Sequence, residues 1–510
     1  MSNESDSQPV GHSHHHRVGT DQSRRRFFKA TAAFTPLALV GSSGFDPLLA
    51  QKSDRTPLGV VGQPRTESTI WKSLRDLAGR TTIFDTHEHL WHEDARLKKK
   101  VDFFLLFSHY TDLDLVAAGM PPQAVADLQK PEIPLEKRWK DFAPYWPYTR
   151  TTGYGRCMLI AARDLYGIDD INQRTYLQLS DRISAANRPG WFETVLKQRS
   201  RIELSVLDDL TTMTGEPLKP EPRFFKIVTR FDYIINAGQR EDLSHIEKVA
   251  GVSIQNLVDL EKALATMVEK KLQEGLAGIK CALAYERTLR FDEVSRPDAE
   301  RAFDRLFGSS SSGPPDPVNH KLLGDYMMHR MLQQAVEHHL PVQIHTGLQA
   351  RNVNHIEWTN PSHLSELLDE YQQVRVDLFH GGYPYTGEFA TIAKNLPNVY
   401  PDLCWLHIIA PGVAKRALHE LIETVPANKI LGFGGDFFHV EGAYAHAQMA
   451  RAITAEVLSE KVEQGYLKEE EAANLLQRIL YQNGKELFSP HDSVARDPGP
   501  GVQEPLHDVA

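Results

Sequence analysis

The stretch Ile83-Phe84-Asp85-Thr86-His87-Glu88-His89-Leu90-Trp91 sets two imidazoles two residues apart at the end of an apolar run. Side chains two apart in an extended segment point the same way, so His87 and His89 can grip one metal ion together. An isolated HxH also arises in ordinary loops, and its meaning rests on what other strand ends supply. Four further apolar runs carry such residues: Lys280 in AGIKCAL, His345 in PVQIHTG, His380 in VRVDLFH and Asp436 in KILGFGGD. A lone histidine in a run of this kind is usually a satisfied core residue, and a lone lysine usually meets a carboxylate. Five strand ends together make coincidence a weak account. Three neutral imidazoles and a carboxylate suit Zn²⁺, with Mn²⁺ as the other candidate, and leave one position for water. The ion would lower the pKa of that water and polarise a substrate carbonyl. On a hydrolytic reading Asp436 moves the water's proton, while His380 binds metal or stabilises the developing oxyanion.

Residues with this spacing need a scaffold that brings distant strand ends together. From Thr66 the chain alternates strand-like runs with helical patterns, the mark of a parallel sheet built from βα units. Eight runs are recognisable, at residues 81–87, 203–209, 224–230, 277–283, 341–347, 374–380, 398–404 and 429–436. They predict an α/β fold, a (β/α)₈ TIM barrel spanning residues 66–489, whose active site lies at the C-terminal ends of the strands. Lys226 and Arg230 leave the inward face of the third run ambiguous. Residues 92–200 form a helical insertion between strands one and two, expected to cover the barrel mouth. GSSSSGPPDP, from Gly308 to Pro317, reads as a flexible loop before the helix that leads to strand five.

Composition bounds the partners. The chain has 510 residues, 41% hydrophobic and 24% charged, enough for one large domain with insertions. A net charge of -10 without a basic stripe argues against nucleic acid. No apolar run is long enough for a stable membrane anchor. Cys157, Cys281 and Cys404 are too few and scattered for a disulfide framework and read as small core residues. Ser23-Arg24-Arg25-Arg26-Phe27-Phe28-Lys29 fits the twin-arginine export pattern, and an apolar run from Ala30 to Val40 follows it. Residues 1–50 are therefore expected to be a signal peptide, with the twin-arginine machinery as partner and the periplasm, or another exported location, as destination. The tail 490–510, polar and rich in Pro and Gly, is expected to be disordered.

The set Asp85, His87, His89, His345, His380 and Asp436 resembles the ligand pattern of the metal-dependent amidohydrolase superfamily. IHTG, KCALAYER and the pair Asn360-Pro361 look like the amidohydrolase-type domain fused to glutamine-synthetase-like proteins. The insertion, with WPYTRTTGYGRCMLIAARDLYGI, is distantly similar to the uronate isomerase branch. Two departures stand out: GFGGDFF lacks the Ser that often precedes the strand-eight Asp, and uronate isomerases do not normally present a strand-four Lys. The resemblance implies metal ligands at His87, His89, His345, His380 and Asp436, with Lys280, if carboxylated, bridging a second ion. One ion and two ions both stay open here. Arg287 and Tyr285 follow strand four and are candidates for a small-molecule substrate, Arg287 through bidentate contact with a carboxylate. Arg156 and Tyr154 are candidates to close over the site from the insertion, with His109 and His439 as further candidates. The expected function is an exported metal-dependent hydrolase of an amide, lactone or ester in a small carboxylated or sugar-derived molecule. A uronate-isomerase-like aldose–ketose isomerase and a metal-dependent decarboxylase are alternatives, and a non-catalytic binding protein comes last.

Overall fold

A computed structural model describes residues 68–219, 221–308, 314–351 and 353–488. The twin-arginine motif, the tail 490–510 and residues 309–313 of the Ser-rich loop lie outside the described residues. Seven parallel strands follow one another in chain order: β1 (Ile83–Glu88), β2 (Ile202–Asp208), β3 (Phe225–Arg230), β4 (Leu276–Cys281), β5 (Val342–Ile344), β6 (Val376–Leu378) and β7 (Val399–Pro401). The eighth predicted run forms no ladder, yet it closes the ring. Leu431 bridges Asp402 in parallel, and its N–H donates to Pro401 O at 2.9 Å. On the other side Thr86 N–H donates to Phe433 O at 3.0 Å and Asp436 N–H to His87 O at 2.9 Å. Gly432 explains the missing ladder: its N–H donates outward to Ile479 O, and a Cβ there would lie 2.3 Å from the Ile479 side chain. The barrel is thus closed by single bonds, where backbone must approach backbone too closely for a side chain.

The ambiguity of the third run is settled by register. Arg230 pairs with Lys280 across β3 and β4. Val228, two residues before Arg230, joins Phe84, Val206 and Leu431 in a small apolar cluster with Leu487 and Phe488, separate from the large core between strands and helices. Alternation then carries Asp208 and Arg230 onto the inward face one layer above that plug. Barrel interiors are usually filled by branched apolar side chains. Here Asp85, Lys280, Gln343 and Asp377 are each 1% exposed or less.

The insertion between β1 and β2 is helical and builds its own aromatic core from Phe103, Phe104, Phe107, Trp139, Phe142 and Trp146. Its helix Gly153–Tyr166 is capped by Thr152, whose hydroxyl accepts from Gly155 N, and ends at Gly167 in the left-handed conformation with φ 65°. A Cβ on Gly153 would lie 2.1 Å from Ile408 O, so only glycine lets this helix approach so closely. The insertion is fastened to the long helix Val440–Glu463 by a buried cluster. Arg96 donates to both oxygens of Glu441 at 2.8 and 2.7 Å, and Tyr166 and Trp191 donate to Glu441 Oε1 at 2.6 and 3.0 Å. No described helix is long and apolar enough to cross a membrane.

Candidate active site

His87 Nε2 and His89 Nε2 lie 3.4 Å apart, and Asp436 Oδ1 is 3.6 and 3.3 Å from them. The other nitrogen of each ring fixes the tautomer. His87 Nδ1 faces Gln343 Oε1 at 3.2 Å, and that amide is oriented because its Nε2 donates to Thr86 O at 2.7 Å and to Asp377 Oδ2 at 2.9 Å. His89 Nδ1 faces Asp208 O at 3.1 Å. Both Nδ1 atoms must therefore carry the proton, which leaves two Nε2 lone pairs and a carboxylate converging on one point. Without a cation such an arrangement is repulsive, and with one it is a ligand set. Burial holds both histidines below the ordinary imidazole pKa, so they are neutral and able to ligate. Asp436 sits at φ 60°, a strained conformation for a residue with a side chain, on the turn that leaves the eighth segment. Burial raises its pKa, opposed by His89, Lys280 and the Tyr110 hydroxyl.

A second pair of rings stands beside the first. His345 Nε2 donates to Leu348 O at 2.8 Å and His380 Nδ1 to Cys404 O at 3.1 Å, so His345 Nδ1 and His380 Nε2 face each other as lone pairs at 3.0 Å. His380 can also share a ligand point with Cys404 and Asp436. His345 lines the same cavity but belongs to neither candidate ligand cluster among the described residues.

These rings line a cavity of about 600 Å³, a volume suited to a small molecule. The insertion supplies His109, Tyr110, Asp112 and Leu113 to its wall. Lys280 also lines it, with its Nζ 3.7 Å from the Phe379 ring centroid and no hydrogen bond or ion pair among the described residues. Burial, then Arg230, lowers its pKa. Of the substrate candidates, Tyr285 lines the cavity, its hydroxyl accepting from Ala350 N at 2.9 Å. Tyr154 stands one ring behind, stacked on Tyr110 at 5.4 Å. The two arginines expected there are elsewhere. Arg287 is captured by the buried Asp325 and covers Phe291, and Arg156 does not reach the wall. His439 caps the helix Val440–Glu463 by accepting from Gly442 N at 3.0 Å. Sequence reasoning missed Arg230, Asp232 and Tyr110 in the wall and Asp208 and Gln343 behind the ligands. Arg230 donates twice to Asp208 Oδ2, at 2.8 and 2.6 Å, and Asp232 has a carboxyl pKa raised to about 6 by burial.

Residues 278–489 match the family model described as Amidohydrolase. Protein fluG of Emericella nidulans is 28% identical over 222 residues, which is 42% of this chain and only 25% of that protein. A uronate isomerase of Nostoc punctiforme is 23% identical over 431 residues, covering 77% of this chain and 88% of that one. Among solved structures, a uronate isomerase from Thermotoga maritima superposes with a TM-score of 0.70 at 16% identity, over 84% of this chain and 100% of that chain. These findings support an amidohydrolase-superfamily member distantly like uronate isomerase.

Within that superfamily the missing serine before the strand-eight aspartate has a steric cause. A Cβ on Gly435 would lie 1.8 Å from Glu88 Oε1. Glu88 is fully buried and its other oxygen accepts from Phe437 N at 2.7 Å, so its carboxyl occupies the space a serine side chain would need. Burial and the neighbouring Asp85 hold Glu88 well above the ordinary carboxyl pKa.

Proposed function

We propose that the protein is a metal-dependent enzyme that interconverts the aldose and ketose forms of a small sugar acid. The observation that carries this reading is the roof. The likeness to uronate isomerases extends over nearly the whole of those chains, beyond the barrel core, and here the insertion brings Tyr110 to the Asp436 carboxylate. A divalent ion held by His87, His89 and Asp436 would polarise a substrate carbonyl and fix the oxygens next to it. The chain's own groups would move the protons. Asp436, buried at 4% exposure with a raised pKa, is placed to take a proton from the carbon beside the carbonyl and return it to the neighbouring carbon. Tyr110 can carry the hydroxyl proton that must pass to the former carbonyl oxygen. Nothing is added or lost, so the step consumes no water. The hydrolytic reading is supported by the family model over residues 278–489, the segment that carries Lys280, His345, His380 and Asp436. The twin-arginine motif at residues 23–29 supports export as part of the same proposal.

The test is proton NMR of hexuronates incubated in D₂O with the zinc- or manganese-loaded protein. Ketose signals with deuterium at the exchanged carbon are the expected result, lost in His87→Ala. No turnover of any uronate, together with ¹⁸O uptake from labelled water into the products of a lactone or ester panel, would replace this reading with the hydrolytic one.

A further inference from the structure

Two cationic side chains in the cavity carry donors that find no acceptor among the described residues. Lys280 and Arg230 are register partners on the parallel strands β4 and β3, so their side chains leave the sheet side by side and on the same face. Lys280 is 1% exposed and, among the described residues, makes neither a hydrogen bond nor an ion pair, its ammonium lying on the Phe379 ring face. Arg230 commits Nε and one terminal nitrogen to Asp208 Oδ2, and its other terminal nitrogen has no acceptor among the described residues. Both residues line the cavity. A buried cation without an anionic partner is costly, and a ring face offsets only a small part of that cost. Asp208 and Asp436 attract the Lys280 ammonium from a distance, but neither forms an ion pair with it among the described residues, and Asp208 is already engaged by Arg230.

We propose that Arg230 and Lys280 form an anion subsite in this cavity, and that its ligand is the carboxylate of a small organic acid. The inference names the substrate class and rests on the reading of this cavity as the substrate site. A carboxylate can offer one oxygen to the free guanidinium nitrogen and the other to the ammonium. A phosphate dianion fits less well, because Asp112, Asp232, Asp242 and Glu286 also line the cavity and repel a second negative charge. The role expected of Arg287 thus falls to Arg230, which ends a strand where Arg287 turns back into the scaffold.

Calorimetry on the chelator-treated full chain tests this without turnover, using D-gluconate, the neutral sorbitol and glucose 6-phosphate as probes. Gluconate is expected to bind at least about tenfold more tightly than sorbitol, and Lys280→Met is expected to erase that preference while leaving sorbitol binding unchanged. Arg230→Lys keeps a charge for Asp208 but removes the second guanidinium donor. It is expected to weaken gluconate by about tenfold as well, and it supplies the reading should Lys280→Met not fold. The subsite is overturned if wild-type protein binds gluconate no better than sorbitol, if it prefers glucose 6-phosphate, or if the folded variants keep the wild-type preference. It is equally overturned if ¹³C NMR of the folded protein in ¹³C-bicarbonate shows a carbamate carbon that Lys280→Met removes. Because no reaction is measured, gluconate bound without uronate turnover would sink the isomerase reading alone, and turnover without charge discrimination would sink the subsite alone.

Discussion

Two buried polar clusters stand on either side of the segment from Asp436 to Glu441, and they are built on opposite principles. Around Glu441 the carboxylate is met by donors on both oxygens: Arg96 reaches each of them, and Tyr166 and Trp191 add two more bonds. Around Asp436 the acceptors outnumber the donors, with the lone pairs of His87, His89, His345 and His380 turned toward one another. The first cluster holds the insertion to the barrel. The second has the arrangement of a candidate metal-ligand set. Burial and charge do not separate the two, since both are fully interior, and the direction of the protons does.

This contrast is broken most severely at Arg96. Arg96→Met leaves Glu441 charged and buried without its partner, and is expected to lower the stability of the metal-free protein by about 3–5 kcal/mol. Urea denaturation in the presence of a chelator measures this, and a loss no greater than that of His87→Gln under the same conditions would erase the distinction. A smaller effect is expected at Gln343, whose oriented amide fixes the tautomer of His87. Gln343→Met is expected to weaken Co²⁺ binding by about 10–100-fold, followed by visible absorption against a competing chelator, while Gln343→Glu, which keeps an acceptor for His87 Nδ1, retains it. Equal affinity in Gln343→Met and wild type would show that the amide does not set the ring.

The smallest effect concerns an intermediate case, a buried cation held only by carbonyls. Lys429 donates to Ala393 O and Leu396 O, both at 2.6 Å, and burial lowers its pKa from 10.5 to about 8. Between those values the unfolded chain binds more protons than the folded one, so this residue's contribution to stability grows as pH rises from about 8 to 10.5. The stability difference between wild type and Lys429→Met is therefore expected to shift toward wild type across that window, and a flat difference would contradict the assigned cause.

The residues that could be read from the sequence are those whose chemistry coincides with the end of an apolar run. His87, His89, His345, His380 and Asp436 announced the barrel and the cavity because each interrupts a hydrophobic strand at its C-terminal end. The eighth strand was legible as composition even though its glycines leave it without a ladder. Arg287 and Arg156 were misplaced because residue type states what a side chain can bind and not what it meets, and Asp325, distant in sequence, captures Arg287. Arg230 and Asp208 were hidden because their inward direction depends on the pairing register of β2, β3 and β4. Gln343 had a readable signal. It lies two residues before His345, on the same face by the strand's own period, inside a run taken as apolar.

Glu88 and Gly435 amount to a single character written at two positions. Any lineage that restores a side chain before the strand-eight aspartate must first shorten residue 88, and any that lengthens residue 88 forfeits position 435. Substitutions at these two sites are therefore expected to arrive as pairs, each tolerated only in the company of the other.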